Sequence, residues 1–193
     1  PFKLIRWFMS HFKFYSAMER IRATIVNEVI SNDILNDDCN LYYFEREDGI
    51  KRYQAVSTLH DDPNVRVIFS IPTDMNNIYI TVSDGDASLI RQLFATLEDI
   101  EGHEKFGIGC VQLFDDICLI ENNIKAVILL PVTTSNILNY LPHEFEVDKV
   151  NYNFNLVVFL STNEYLEWKT KGHDALIDYF IENEKDLIAF NLS

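Results

Sequence analysis

Between Leu41 and Ser83 the sequence carries four runs rich in aromatic and β-branched residues, arranged as two pairs with short turn-forming links. LYYFER (41–46) and IKRYQAVSTL (50–59) flank Glu47-Asp48-Gly49, and Asp-Gly is a favoured hairpin turn. VRVIFSI (65–71) and NIYITVS (77–83), separated by PTDMN, make a second hairpin by the same logic. A sheet this apolar must be covered, so the rest of the chain has to supply the layers that pack on it.

Helical stripes flank the meander. Apolar residues at Ile5, Phe8, Phe12, Tyr15, Met18, Ile21, Ile25 and Val29 recur in steps of three or four, which predicts an amphipathic helix within residues 1–30. After the second hairpin, Ser83-Asp84-Gly85-Asp86 offers capping oxygens. Leu89, Ile90, Leu93, Phe94, Leu97 and Ile100 then keep helical spacing up to Gly102, read as a C-terminal stop.

Three apolar runs follow: FGIGCVQLF (106–114), ICLIE (117–121) and IKAVILLP (124–131). Asp115-Asp116 and Asn122-Asn123 separate them as turn chemistry, and all three are expected to be strands. Thr133 to Leu141 is expected to form a short helix ended by Pro142, before the strands 145–150 and 154–161. Ser161 and Glu164 have the spacing of a capping box, and Leu166 or Trp168 should face inward. Lys169 and Lys171 lie where a helix C-terminus favours cations, and Gly172 should turn the chain into a last helix capped by His173 or Asp174, with Leu176, Ile177, Phe180 and Ile181 on its apolar face. No repeat or flexible linker divides the 193 residues. The expectation is one α+β domain, a mixed, mostly antiparallel sheet with helices packed on it.

Apolar residues make up 48% of the chain and charged residues 24%, a globular balance. No apolar run approaches the roughly 18 to 20 residues that cross a bilayer, so a cytoplasmic location off the membrane is expected. Charge is uneven. Residues 1–22 hold Lys3, Arg6, Lys13, Arg20 and Arg22 against Glu19 alone, a local +4, which leaves −18 on the remainder of a chain whose total is −14. A body that negative repels phosphate backbones and attracts basic proteins, which argues against direct nucleic-acid binding.

Catalytic motifs are sparse. His11, His60, His103, His143 and His173 form no HExxH or HxH pattern, although His60, His103 and His143 each precede an acid that could orient the imidazole. Cys39, Cys110 and Cys118 are odd in number and lack CxxC spacing, so they read as buried thiols, without disulfide or zinc. There is no GxSxG elbow and no glycine-rich phosphate cradle, and Glu167-Trp168-Lys169 is a nuclease-like fragment placed on a helix. No catalytic residue, cofactor or metal is expected.

The end of the chain resembles the suppressor-of-fused-like domain: a strand, a Ser-x-x-Glu helix start, and a glycine about eight residues later leading into a short helix. Ser161, Glu164, Gly172, Ala175, Leu176 and Phe180 occupy those positions, and the likeness extends in order through the helix at Ile90 to Leu97, FGIGCVQLF and VILLP, about residues 86–190. The family's Thr-x-Gly-Leu-Ser segment has as its counterpart Thr58 to Asn64, without the glycine. The resemblance implies a protein-interaction fold without enzymatic activity. Animal members clamp an extended peptide of a transcription factor, and bacterial single-domain members look like immunity proteins. The corresponding expectation is a non-enzymatic binding domain for a basic protein, with Asp61, Asp62, Asp115 and Asp116 as contact residues. Two alternatives are an enzyme whose non-contiguous acidic or metal site uses His60 and those aspartates, and an adaptor that applies its basic N-terminal helix to a membrane or assembly.

Overall fold

The computed structural model describes residues 17–102 and 106–190. The part of the N-terminal helix expected before residue 17, and His103, lie outside the described residues. Helix α1 (Ala17–Ile30) turns Ile21, Ile25 and Val29 to the core, as the four-residue spacing requires. The meander then runs β1 (Asn40–Glu45), β2 (Lys51–Thr58), β3 (Arg66–Ile71) and β4 (Asn77–Ser83), followed by α2 (Ala87–Glu101), β5 (Val111–Leu113), α3 (Ile117–Glu121), β6 (Ala126–Pro131), β7 (Glu144–Val147), β8 (Val150–Leu160), α4 (Thr162–Lys171) and α5 (His173–Glu182).

The strands form one eight-stranded sheet in the order β1-β2-β3-β4-β8-β6-β5, with β7 also paired to β8. Every pair is antiparallel except β4 with β8, where Asn77 faces Asn153 and Ile80 faces Leu156 in parallel register. The α+β architecture and the mostly antiparallel mixed sheet expected from the sequence are both present.

Alternation along the strands sorts side chains into two cores, one on each face. Ile78, Ile80 and Val82 join Ile21, Ile25, Leu176 and Phe180 beneath α1 and α5. Tyr79, Ile68 and Val157 join Ile90, Leu93, Phe94 and Leu97 of α2 with Leu119 of α3. Because helices cover both faces, β4 is buried along its whole length, and its polar side chains are hydrogen-bonded there: Thr81 donates to Val157 O and Ser83 Oγ accepts the Gly85 N–H. The four large apolar side chains of α2 contribute roughly 1.5–3 kcal/mol each in transfer terms, ample to fix the helix on the sheet.

Three segments fold otherwise than their sequence suggests. Residues 117–121 are helix α3, because the Asp116 carboxylate accepts the Cys118 N–H as an N-cap and only Leu119 of the run is buried; an apolar run this short carries no periodicity of its own. The segment 106–114 narrows to a three-residue β5. Its first half is a turn in which Cys110 N–H donates to Gly107 O and Gly109 N–H to Leu129 O. In place of a helix at 133–141 there is a single 3-10 turn at Val132–Thr134. There the Ser135 hydroxyl accepts the Ile137 and Leu138 N–H groups and so competes with helix propagation. Cys118 is exposed, whereas Cys39 and Cys110 are half-buried; all three are free thiols.

The capping box is present: Ser161 Oγ accepts from Glu164 N–H and Glu164 Oε2 accepts from Ser161 N–H at 2.7 Å. Trp168 and Tyr165 pack on the core while Leu166 is exposed. Gly172, at φ +95°, separates α4 from α5, a backbone region that L side chains avoid. Neither His173 nor Asp174 caps α5, which has no side-chain cap. Gly102 follows α2 in the ordinary right-handed region, so it ends the helix without the left-handed turn expected of it.

Candidate functional site

An open cleft of about 690 Å³ lies where β4 and β8 begin and α2 ends. Parallel pairing places Asn77 of β4 beside Asn153 of β8, and Asn155 lies two residues further along β8 on the same face. The Asn77 side-chain amide donates to Glu101 Oε1 at 2.7 Å and to Phe106 O at 2.8 Å, and Asn155 Nδ2 donates to Asn77 Oδ1 at 3.0 Å. Tyr79 closes the network from below by donating its hydroxyl to Glu101 Oε2 at 2.8 Å, with its ring packed against Phe94 and Phe106. Asp74, Met75, Asn76 and His143 complete the walls.

The electrostatics are one-sided. The last turn of α2 carries Glu98, Asp99 and Glu101 and no base, the reverse of what the negative end of a helix dipole favours. Burial raises the pKa of Glu101, against the hydrogen bonds from Tyr79 and Asn77; burial, with the nearby Glu101 charge, also raises that of the Tyr79 phenol. Glu98 is 0% exposed and neither carboxylate oxygen has a hydrogen-bond partner. Burial pushes its pKa well above the usual carboxylate range although Arg52 Nη1 is 3.9 Å away. Arg52 is committed elsewhere, donating from Nε to Asp99 Oδ1 at 3.1 Å and from Nη1 to Asp74. No lysine or arginine lines the cleft among the described residues. Paired amides can hydrogen-bond the backbone of an extended chain, and the carboxylates select against an anionic one.

The aspartates singled out from sequence lie at the other end of the sheet. Asp61 and Asp62 are in the β2–β3 loop, where the Asp61 carboxylate meets His60 Nδ1 at 3.1 Å and Asp62 Oδ1 accepts the Asn64 N–H. Asp115 pairs with Lys125 at 3.1 Å, and Asp116 caps α3. The two pairs are not brought together, because β4, β8 and β6 stand between β3 and β5, a span of about 19 Å at the usual strand spacing. Among the described residues there is no cluster of three or more His, Cys, Asp or Glu able to hold a metal.

No protein-family model matches the chain, and no curated protein matches it. Among solved structures it superposes on a protein described as a "putative SUFU (suppressor of fused protein) homolog" from Neisseria gonorrhoeae, with a TM-score of 0.68 over 91% of this chain and 96% of that one, at 14% sequence identity. The fold is suppressor-of-fused-like. The shared coverage reaches into the N-terminal half, so the suppressor-of-fused-like likeness of the fold extends beyond residues 86–190. At this identity the likeness carries the architecture; the side chains of the cleft must be judged on their own chemistry.

Sequence reasoning missed the cleft because its residues come from five separate segments. Two signals did exist. Asn151, Asn153 and Asn155 alternate on one side of a strand that is otherwise apolar, and asparagine is depleted in strands. Glu-Asp-Ile-Glu at the end of α2 also runs against the helix dipole.

Proposed function

We propose that the chain is a protein-interaction domain whose cleft at the C-terminal end of α2 takes an extended, basic segment of a partner protein. The observation that supports this reading is the cleft's make-up: asparagine amides from β4 and β8, the carboxylates of Asp74 and Glu101, and no lysine or arginine among the described residues lining it. The suppressor-of-fused-like fold agrees with such a role, and the excess of acid over the chain would steer a basic partner toward it. The specific form of this reading is an immunity-type inhibitor that occupies the basic surface of a toxin.

The test is a titration of the 15N-labelled protein with a synthetic peptide alternating lysine or arginine with valine, and with the same peptide carrying glutamate at the basic positions. The basic peptide should shift the side-chain amides of Asn77, Asn153 and Asn155, and the acidic one should leave them in place. Equal response to both, or shifts confined to the β2–β3 loop, would overturn the assignment of the cleft.

A further inference from the structure

In a protein with thirty acidic residues, arginines find carboxylates: Arg20 and Arg46 each pair with one, and Arg52 with Asp74 and Asp99. Arg22 is instead stacked over the Tyr53 ring. Arg66 and Arg91 also lack a carboxylate partner among the described residues, and these two share a cavity of about 230 Å³ at the N-terminal end of α2. It lies at the opposite end of that helix from the acidic cleft.

Both guanidinium groups are held without being used up. Arg66 Nη1 donates to Gly85 O at 3.3 Å and to Asn64 O at 3.4 Å. Arg91 Nε donates to Ala87 O at 3.3 Å while the group lies 4.0 Å over the Tyr42 ring. The terminal nitrogens of Arg91, and Nε and Nη2 of Arg66, have no hydrogen-bond partner among the described residues. The positive end of α2 adds to the same potential. Asp38, Asn40, Tyr42, Val56, Ser57 and Thr58 also line the cavity, and the Ser57 hydroxyl donates to the backbone oxygens of Asn36 and Asp38, which holds the Asp38 segment against β2.

We propose that this cavity binds a compact carboxylate ligand of amino-acid size. A planar guanidinium fork matches a carboxylate in two hydrogen bonds, and two pre-positioned forks hold one without rearrangement. Asp38 decides between oxyanions. It opposes the second negative charge of a phosphate, and it offers an acceptor to an ammonium group carried beside the carboxylate. The cavity volume suits a few carbon atoms on the apolar side and excludes a folded partner. This inference does not depend on the role of the acidic cleft, which none of the cavity's residues lines.

The experiment uses the 15N-labelled protein with three probes, L-alanine, acetate and inorganic phosphate, at constant ionic strength. Alanine should saturate shifts of the Ser57, Thr58 and Ala87 amides with a Kd of about 1–10 mM, as expected for a ligand of few atoms; acetate should bind more weakly and phosphate most weakly. Arg91→Met should weaken alanine binding by about tenfold or more, the size of a charged hydrogen bond. Asp38→Asn, which leaves both arginines in place, should raise phosphate affinity and remove alanine's advantage over acetate. The absence of saturable shifts with either carboxylate, a preference for phosphate in the unaltered protein, or binding indifferent to Asp38→Asn would overturn the proposal.

Discussion

Lys185 and Glu164 form a 2.8 Å ion pair with both side chains only 9% exposed. The same glutamate completes the capping box of α4, so one carboxylate starts that helix and also anchors the segment that follows α5. Removing the cation leaves a buried carboxylate unpaired, which in comparable pairs costs about 3–5 kcal/mol. Lys185→Met should therefore lower the free energy of unfolding by about 3 kcal/mol in a denaturant titration, and Lys185→Met with Glu164→Gln should recover part of the loss. A single-variant loss below roughly 0.5 kcal/mol, the level of an exposed pair, would sink the argument.

Beyond Lys185 the chain returns to the sheet. Ile188 O accepts the Asp84 N–H, Asp84 Oδ1 accepts the Phe190 N–H, and Phe190 stacks edge-on to Phe159. Gly85 makes room for that ring: a Cβ there would stand 2.2 Å from Phe190 Cγ. Gly85→Ala should destabilise the fold by about 1–3 kcal/mol through overpacking. Combined with Phe190→Gly, which removes the ring and also the Cβ that the added methyl would meet, its added effect should nearly vanish, since neighbours that share a contact are not additive. Thermal melts of the four proteins in that cycle decide it; full additivity would remove the close approach from the account.

Much of this was legible in sequence, and the rest follows from how little each missed segment contributes alone. Asp48-Gly49, the stripe from Ile90 to Leu97 and the Ser161–Glu164 box are strong local signals, and each gave the observed element. Ile117–Glu121 failed because five apolar residues fit helix and strand equally well until Asp116 caps them. Asp61, Asp62, Asp115 and Asp116 were visible as charges, but their turn and capping partners appear only in three dimensions. The cleft required the parallel β4–β8 pairing, which sets Asn77 beside Asn153 across 75 residues of intervening chain and has no local trace.

Glu98 should make stability fall with rising pH. Arg52, Asp74, Asp99 and Glu101 are the charged groups around it, and burial outweighs the pull of Arg52, so the folded pKa lies above the unfolded value of about 4.3. Between those two pKa values the native state binds more protons than the unfolded chain. The contribution is fully present below about pH 4.3 and is lost as pH rises through the folded pKa, by up to about 1.4 kcal/mol per pH unit. Glu98→Gln removes this titration. Relative to the unaltered protein it should gain stability as pH is raised above about 4.3 and through the folded pKa, seen as a flatter unfolding free energy against pH. Parallel pH curves for the two proteins would mean that Glu98 is ionised in the fold.

Partner binding offers a kinetic separation between the two acidic regions. The Asp61 and Asp62 loop stands at the far end of the sheet from the cleft, so toward a basic ligand it acts through the long-range field, whereas Asp74 and Glu101 line the proposed contact. Screening shortens the Debye length from about 30 Å at 0.01 M salt to about 8 Å at 0.15 M. Reversing Asp61 and Asp62 together should slow association with the basic peptide at low salt, with little change in dissociation and a vanishing effect near 0.15 M. Asp74→Asn with Glu101→Gln should act mainly on dissociation, raising it by about tenfold or more if a charge-assisted hydrogen bond is lost, and that effect should persist at high salt. Stopped-flow measurements across a salt series distinguish the two. A loop reversal that speeds dissociation while the cleft variant leaves it unchanged would move the contact surface to the β2–β3 end of the sheet.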